Sequence, residues 1–233
     1  MYKLDDIVNK VHHADCIEFM KNIPDNSIDA IITDPPYGIS FKSARQTYQE
    51  DIKNDGLEEW QKILPLFLTQ FKRVITDVGC CCCCGGGGKT PVTAIFTLEA
   101  IKHFHLIQTL VWRKFIGLGW RYRPAYENIV ILAKDKDNYS FYDETKLCAN
   151  VIEGINQDIP LNKWQHPTQK PVQLMEYLIR IHTKKSDIIL DPFCGSGTTL
   201  EACKKLGRQY IGIELEEKYI EMCKRRLAQE YLF

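Results

Sequence analysis

Asp34 is followed directly by Pro35, Pro36 and Tyr37, and no other stretch of the chain concentrates as much usable chemistry. The run before it, Ala30 to Thr33, is apolar and reads as a buried strand. Two successive prolines fix φ and supply no N–H, so the strand must stop there and its last carbonyls lose their sheet partners. A carboxylate, a rigid set of carbonyl acceptors and the ring of Tyr37 together suit a flat group that bears an NH2. A nucleobase fits that description. An isolated Asp-Pro-Pro-Tyr also recurs by chance as an ordinary strand and turn, so the reading depends on the rest of the chain.

A second cluster lies near the C-terminus. The short strand Asp187 to Asp191 runs into Pro192-Phe193-Cys194-Gly195-Ser196-Gly197-Thr198-Thr199, then into a helix from Thr199 to Leu206 that Gly207 ends. Strand Gln209 to Glu214 and helix Glu216 to Leu227 complete a βαβα unit. A glycine turn after a buried strand lets a ligand approach the backbone, and an acid ending the next strand can hold both ribose hydroxyls. The third glycine of the dinucleotide fingerprint is missing, and no arginine is placed for a second phosphate. The pattern therefore favours a cofactor with a nucleoside and no pyrophosphate, the form of S-adenosylmethionine, over a plain helix-packing turn. Upstream, His166-Pro167-Thr168-Gln169-Lys170-Pro171 opens a helix whose Leu174, Leu178 and Ile181 share a face.

The elements that must position these clusters alternate between strand and helix. A strand is expected within residues 7–13, ending before Asp15, then a short helix from Ile17 to Asn22 and the strand Ala30 to Thr33. Asp15 and Asp34 thus end successive strands, on the edge where open α/β sheets bind ligands. A long polar loop spans Ile39 to Leu57, and a helix follows from Leu57 to Phe71, interrupted near Pro65. Val74 to Cys84 covers a linker and a strand, Thr93 to Phe104 is helical, and Leu106 to Trp112 and Asn128 to Lys134 are strands. Asp135 to Lys163 is irregular and reads as an insertion rather than a domain.

With 233 residues and 45% hydrophobic content, one domain over 1–233 is expected. Lys plus Arg equals Asp plus Glu at 30 each, so contact with nucleic acid must come from a local patch. Basic and aromatic residues interleave in one place, at Arg113, Lys114, Trp120, Arg121 and Arg123. Such a mix suits phosphate contact with base stacking, or else a solvated loop with buried rings. Five of the ten cysteines are consecutive, Cys80 to Cys84. Strand alternation sends them to opposite faces, so they read as small buried hydrophobes and not as a metal site. Gly85 to Gly88 lacks phosphate-loop spacing and reads as a tight turn. The charged first ten residues show no secretory signal and no stretch is apolar enough to span a membrane, which points to a cytoplasmic protein.

Taken together and in order, TDPPYG, HPTQKP, DPFCGSGTT and YIGIE resemble the β-group DNA amino-methyltransferases, the N6-adenine and N4-cytosine enzymes in which the catalytic motif precedes the cofactor motif. Gly117 to Arg123 with Tyr126-Glu127 resembles small bacteriophage or prophage members. The resemblance covers nearly the whole chain. It implies a Rossmann-like α/β fold with a seven-stranded, mostly parallel sheet, helices on both faces and one antiparallel strand. S-adenosylmethionine is the implied cofactor. Asp191, Pro192, Phe193, Gly195 and Gly197 match its methionine-side loop, Glu214 its ribose ligand, and Asp15 and Cys16 the place of its adenine. Thr168 and Lys170 match the segment that receives its carboxylate, and Asp34 borders the same site.

The resemblance further implies that Asp34 and the Pro35 carbonyl accept the two N–H bonds of the target amine, with Pro36 holding the turn. Tyr37 would stack on a base flipped out of the duplex. A motif beginning with Asp resembles the adenine-N6 enzymes more than the cytosine-N4 ones. RNA adenine methylation and a decayed binding protein are weaker alternatives. Arg113, Lys114, Trp120, Arg121 and Arg123 are the expected DNA contacts, and residues 135–163 the expected target-recognition insertion. The expected partners are DNA and a second copy of the chain, and the chain reads either as an orphan methylase or as the modification half of a pair with a separately encoded restriction endonuclease.

Overall fold

The computed structural model describes residues 1–36, 57–85, 91–115, 122–143, 145–155 and 169–229. In chain order these form α1 (Leu4–Ile7), β1 (Lys10–His13), α2 (Cys16–Met20), β2 (Ile28–Thr33), α3 (Leu57–Val74), β3 (Ile75–Gly85), α4 (Val92–Ala100) and β4 (His105–Arg113). There follow β5 (Tyr126–Ala133), β6 (Val151–Ile152), α5 (Val172–His182), β7 (Ile188–Asp191), α6 (Thr198–Leu206), β8 (Gln209–Glu214) and α7 (Glu217–Leu227).

The eight strands make one sheet in the order β1-β8-β7-β2-β3-β5-β4-β6. Strand β5 runs antiparallel to both β3 and β4, and the other pairings are parallel. The expected sheet of seven strands with one reversed is present. An eighth, the two-residue β6, pairs with β4 inside the segment expected to be irregular. Among the described residues, no helix is long and apolar enough to cross a membrane.

Two apolar layers flank the sheet. On one face α3 buries Trp60, Leu64, Phe67, Leu68, Phe71 and Val74, a stripe with helical spacing, against Cys81, Cys83, Val130 and Leu132. On the other face Leu174 and Leu178 of α5 and Leu200 of α6 cover Ile32, Cys82, Cys84 and Ile189. The cysteine run therefore alternates between the layers as expected, and all five side chains are buried. Cysteine suits this strand because it is small and apolar enough to fill both faces.

Three local differences have physical causes. Helix α3 continues through Pro65 to Val74, because its buried stripe packs on both sides of the proline and outweighs the lost backbone bond. No linker precedes β3, and α3 passes straight into it. The first predicted strand is divided: α1 takes Ile7, Asn9 turns at φ +58°, and β1 starts at Lys10. Gly79 is fixed by close approach, since a Cβ there would lie 2.7 Å from the Asp29 carbonyl, where the register between β2 and β3 shifts.

Candidate active site

Parallel pairing brings the ends of β1, β8, β7, β2 and β3 to one edge of the sheet, and the antiparallel β5 adds its beginning to the same edge. His13 pairs with Glu214, Asp191 with Gly212, and Gly85 with Asn128. Most of the chemistry-bearing residues gather along this line because they stand at or just beyond a strand end, or in β5 at its start, and Lys170 reaches it from the segment ahead of α5.

Asp191 is the centre of the inner half. The Thr33 hydroxyl donates to its Oδ1 at 2.7 Å, and the Phe193 amide to the same oxygen at 3.2 Å. Burial pushes the carboxyl up to about 6, against hydrogen bonds from Thr199, Thr33 and the Phe193 amide. Asp191 therefore ties the end of β2 to the loop after β7. The Phe193 ring meets Phe67 of α3 edge-on, with centroids 5.5 Å apart, which anchors that loop to the opposite layer.

Glu214 ends β8 with both carboxylate oxygens engaged. Oε2 accepts from the Gly195 amide at 2.9 Å, and Oε1 from the amides of Leu215 and Glu216 at 2.8 Å each. Burial raises its pKa, opposed by these three amides. Asp15 lies beyond the neighbouring β1, exposed, and caps α2 by accepting from the Glu18 amide at 3.0 Å. Cys16 beside it is half-buried, and burial pushes its thiol up to about 12. The rim formed by Asp15, Asp191 and Glu214 is made of acceptors. This chemistry fits ribose hydroxyls and a cationic group, and it offers a pyrophosphate no positive partner.

The glycine turn divides its labour. Gly195 adopts φ +49° and presents its amide to Glu214. Gly197 precedes α6 at φ +82°, and a Cβ on it would sit 2.3 Å from Cys223 Sγ. Gly197 is therefore required by the approach of α6 to α7.

The outer half of the edge is a row of alternating charges. Lys170 Nζ lies 2.5 Å from Asp34 Oδ2 and 3.4 Å from Glu127 Oε2, and Lys114 Nζ lies 2.5 Å from Glu127 Oε1. All four side chains are at least three-quarters buried. Burial pushes Asp34 up to about 6, with Lys170 acting against it and Glu127 with it. Burial alone would lower Lys170, but Asp34 and Glu127 outweigh it and hold the ammonium above its ordinary range. Glu127 is held below its ordinary value because Lys170 and Lys114 overcome the cost of burial.

A carboxylate on a proline-locked strand end stands here beside a rim of acids. The family model described as DNA methylase matches residues 28–225. This chain belongs to that family. The type II methyltransferase M.HinfI of Haemophilus influenzae is 30% identical to it, over 97% of this chain and 70% of that protein. The DNA adenine methyltransferase YhdJ of Escherichia coli K12 is also 30% identical, over 92% of this chain and 81% of that protein. Among solved structures, the M1.HpyAVI–SAM complex is 30% identical with a TM-score of 0.72, covering 94% of this chain and 99% of that one.

Within this methylase the positions expected from sequence fall as follows. Asp15, Cys16, Asp34, Asp191, Phe193, Gly195 and Glu214 share the one edge, Pro192 lies in the same loop, and Pro35 and Pro36 follow Asp34 as expected. Tyr37, Trp120, Arg121 and Thr168 lie outside the described residues. Lys170, expected at the cofactor carboxylate, is paired with Asp34 and Glu127. Of the expected DNA contacts, Arg123 is exposed, Arg113 is exposed and pairs with Glu153 at 2.7 Å, and Lys114 turns inward to Glu127.

Sequence reasoning gave no role to Thr33, Thr199 or Glu127. Glu127 stood within a motif already singled out. Its place at the edge depends on β5 being the reversed strand, which hydrophobic patterning does not show.

Proposed function

We propose that this chain transfers a methyl group from S-adenosylmethionine to the exocyclic N6 of adenine in a specific DNA sequence. The observation that carries this reading is Asp34 fixed between β2 and Pro35, on the strand adjacent to the Asp191 and Glu214 cradle. Glu214 and Asp15 would hold the nucleoside, and the loop from Asp191 to Gly197 the amino-acid side of the cofactor. Bound there, S-adenosylmethionine supplies an electrophilic methyl group. Membership of the family and the SAM complex of the 30% identical M1.HpyAVI support that assignment.

An adenine amine is a poor nucleophile because its lone pair is delocalised into the ring. Asp34 accepting one N–H and the Pro35 carbonyl the other would let the nitrogen pyramidalise. Both acceptors are fixed before the base arrives, so they stabilise the charge growing on nitrogen without reorganising. The proton released when the new N–C bond forms passes first to Asp34, whose raised pKa suits that task. Tyr37 stacks on the extruded base. Arg113, Trp120, Arg121 and Arg123 would contact the DNA, and the 135–163 segment would contribute to sequence recognition. Since that segment is short, a second copy of the chain shares the task, and a separately encoded endonuclease with the same target would be the partner of a modification enzyme.

The test is mass spectrometry of nucleosides from DNA and from RNA, each incubated with the protein and methyl-labelled S-adenosylmethionine. Label in N6-methyladenine from DNA is expected. Label in N4-methylcytosine, or in RNA only, would replace the assigned target. Asp34→Ala should abolish the label and keep the cofactor dissociation constant within about threefold; retained turnover would remove Asp34 from the chemistry.

A further inference from the structure

We propose that Glu127 is a positioning residue for the transfer: together with Asp34 it clamps the Lys170 ammonium, so that the ammonium fixes the Asp34 carboxylate for the target amine. The inference rests on the activity proposed above and adds to it a residue from the reversed strand.

The geometry has three parts. Lys170 Nζ has Asp34 Oδ2 at 2.5 Å on one side and Glu127 Oε2 at 3.4 Å on the other. Glu127 Oε1 is held by Lys114 at 2.5 Å, and Lys114 Nζ in turn lies 5.5 Å from the ring centroid of the buried Trp112. Glu127 cannot swing away, because its backbone is set by β5 pairing with Trp112 of β4 and its far oxygen is occupied. Its near oxygen is buried and faces the Lys170 ammonium, which is the charged partner that offsets the cost of burying it. The same contact holds Lys170 in place.

The clamp matters for how Asp34 behaves. With Asp34 alone as partner, a buried ammonium would draw the carboxylate's charge onto itself and leave a weaker acceptor for the amine. Glu127 shares that ammonium and also repels charge on Asp34. The groups facing Asp34 are Lys170 ahead of α5, Glu127 on β5, Asp191 on β7, and the thiols of Cys83 and Cys84 on β3. Of these, Glu127 is the carboxylate that acts on Asp34 both directly and through Lys170.

The experiment compares wild type with Glu127→Gln, which keeps the shape and loses the charge, and with Glu127→Asp. A double variant, Glu127→Gln with Lys114→Gln, preserves the local charge balance if the single change impairs folding. Turnover is measured against pH at saturating cofactor and DNA, and Asp34 is titrated by carboxyl carbon NMR in protein without substrate. Glu127→Gln is expected to lower kcat by roughly tenfold or more. KM for the cofactor should stay within about threefold, and both the acidic limb of the rate profile and the Asp34 titration should move down by about one pH unit. Glu127→Asp should restore part of kcat. An unmoved Asp34 titration in both Gln variants, or a change confined to KM, would overturn the inference. If wild type methylates nothing yet the titration still moves, the clamp stands and the assigned activity falls; if wild type methylates and neither quantity moves, the reverse holds.

Discussion

Burial raises Asp34 and Asp191 alike to about 6, yet different surroundings give them different work. Asp191 is met by neutral donors, from Thr33, Thr199 and the Phe193 amide, whereas Asp34 is met by the ammonium of Lys170. Asp191 is 3% exposed, so its ionisation weighs on the fold directly. A carboxyl whose folded pKa lies above its unfolded value favours the folded state below the unfolded value. That advantage disappears as pH rises through the folded one. Between about pH 4 and pH 6 the wild-type protein should therefore lose on the order of 2 kcal/mol through this residue. Asp191→Asn carries no such charge. Urea unfolding at pH 4.5 and at pH 7 should show the variant gaining relative to wild type as pH rises, and parallel stabilities at the two values would refute the assignment. For Asp34 the raised value acts on the chemistry in the opposite sense: kcat/KM should fall as pH drops through about 6, where the acceptor becomes protonated.

At the scale of elements, the glycine turn shows that one motif can serve two masters. Gly195 turns its amide to Glu214, while Gly197 permits α6 to lie against Cys223 of α7. Gly197→Ala should destabilise the protein by about 2–4 kcal/mol, combining a positive φ with overpacking in a rigid core. Adding Cys223→Ala removes the 2.3 Å contact and leaves the backbone cost, so roughly half of the loss should return in denaturant unfolding. No recovery would mean that the backbone alone sets the requirement. The strands that run into an acid and a proline were legible before the structure, β2 just before Asp34 and Pro35 and β7 at Asp191 and Pro192, because composition punctuates them, and the apolar run of β8 closes on Glu214. Glu127 was not. Proximity to the ligand edge follows from strand direction, and a short apolar run reads the same in either direction. The continuous α3 was missed for a related reason: local propensity at Pro65 was overridden by packing that only the assembled sheet supplies.

Across the whole molecule the formal charge is zero, so affinity for a polyanion must come from particular side chains and not from a general field. The basic side chains between positions 113 and 123 are not equivalent. Arg123 is exposed, Arg113 shares its charge with Glu153 across the surface, and Lys114 is spent on Glu127 with only 19% of its side chain exposed. A lysine whose ammonium already sits on a buried carboxylate releases no counterion when DNA binds. Fluorescence anisotropy with a duplex carrying the methylated site, over salt from about 50 to 200 mM, separates these roles. Changing Arg121 and Arg123 to Ala should weaken binding and flatten the log–log salt slope by about 1.8, which is about 0.9 for each phosphate no longer neutralised. Lys114→Gln should leave the slope unchanged, yet slow turnover by loosening Glu127. A slope reduced by about 0.9 in Lys114→Gln would place that ammonium on the DNA backbone in the complex and leave Lys170 as the cation that holds Glu127.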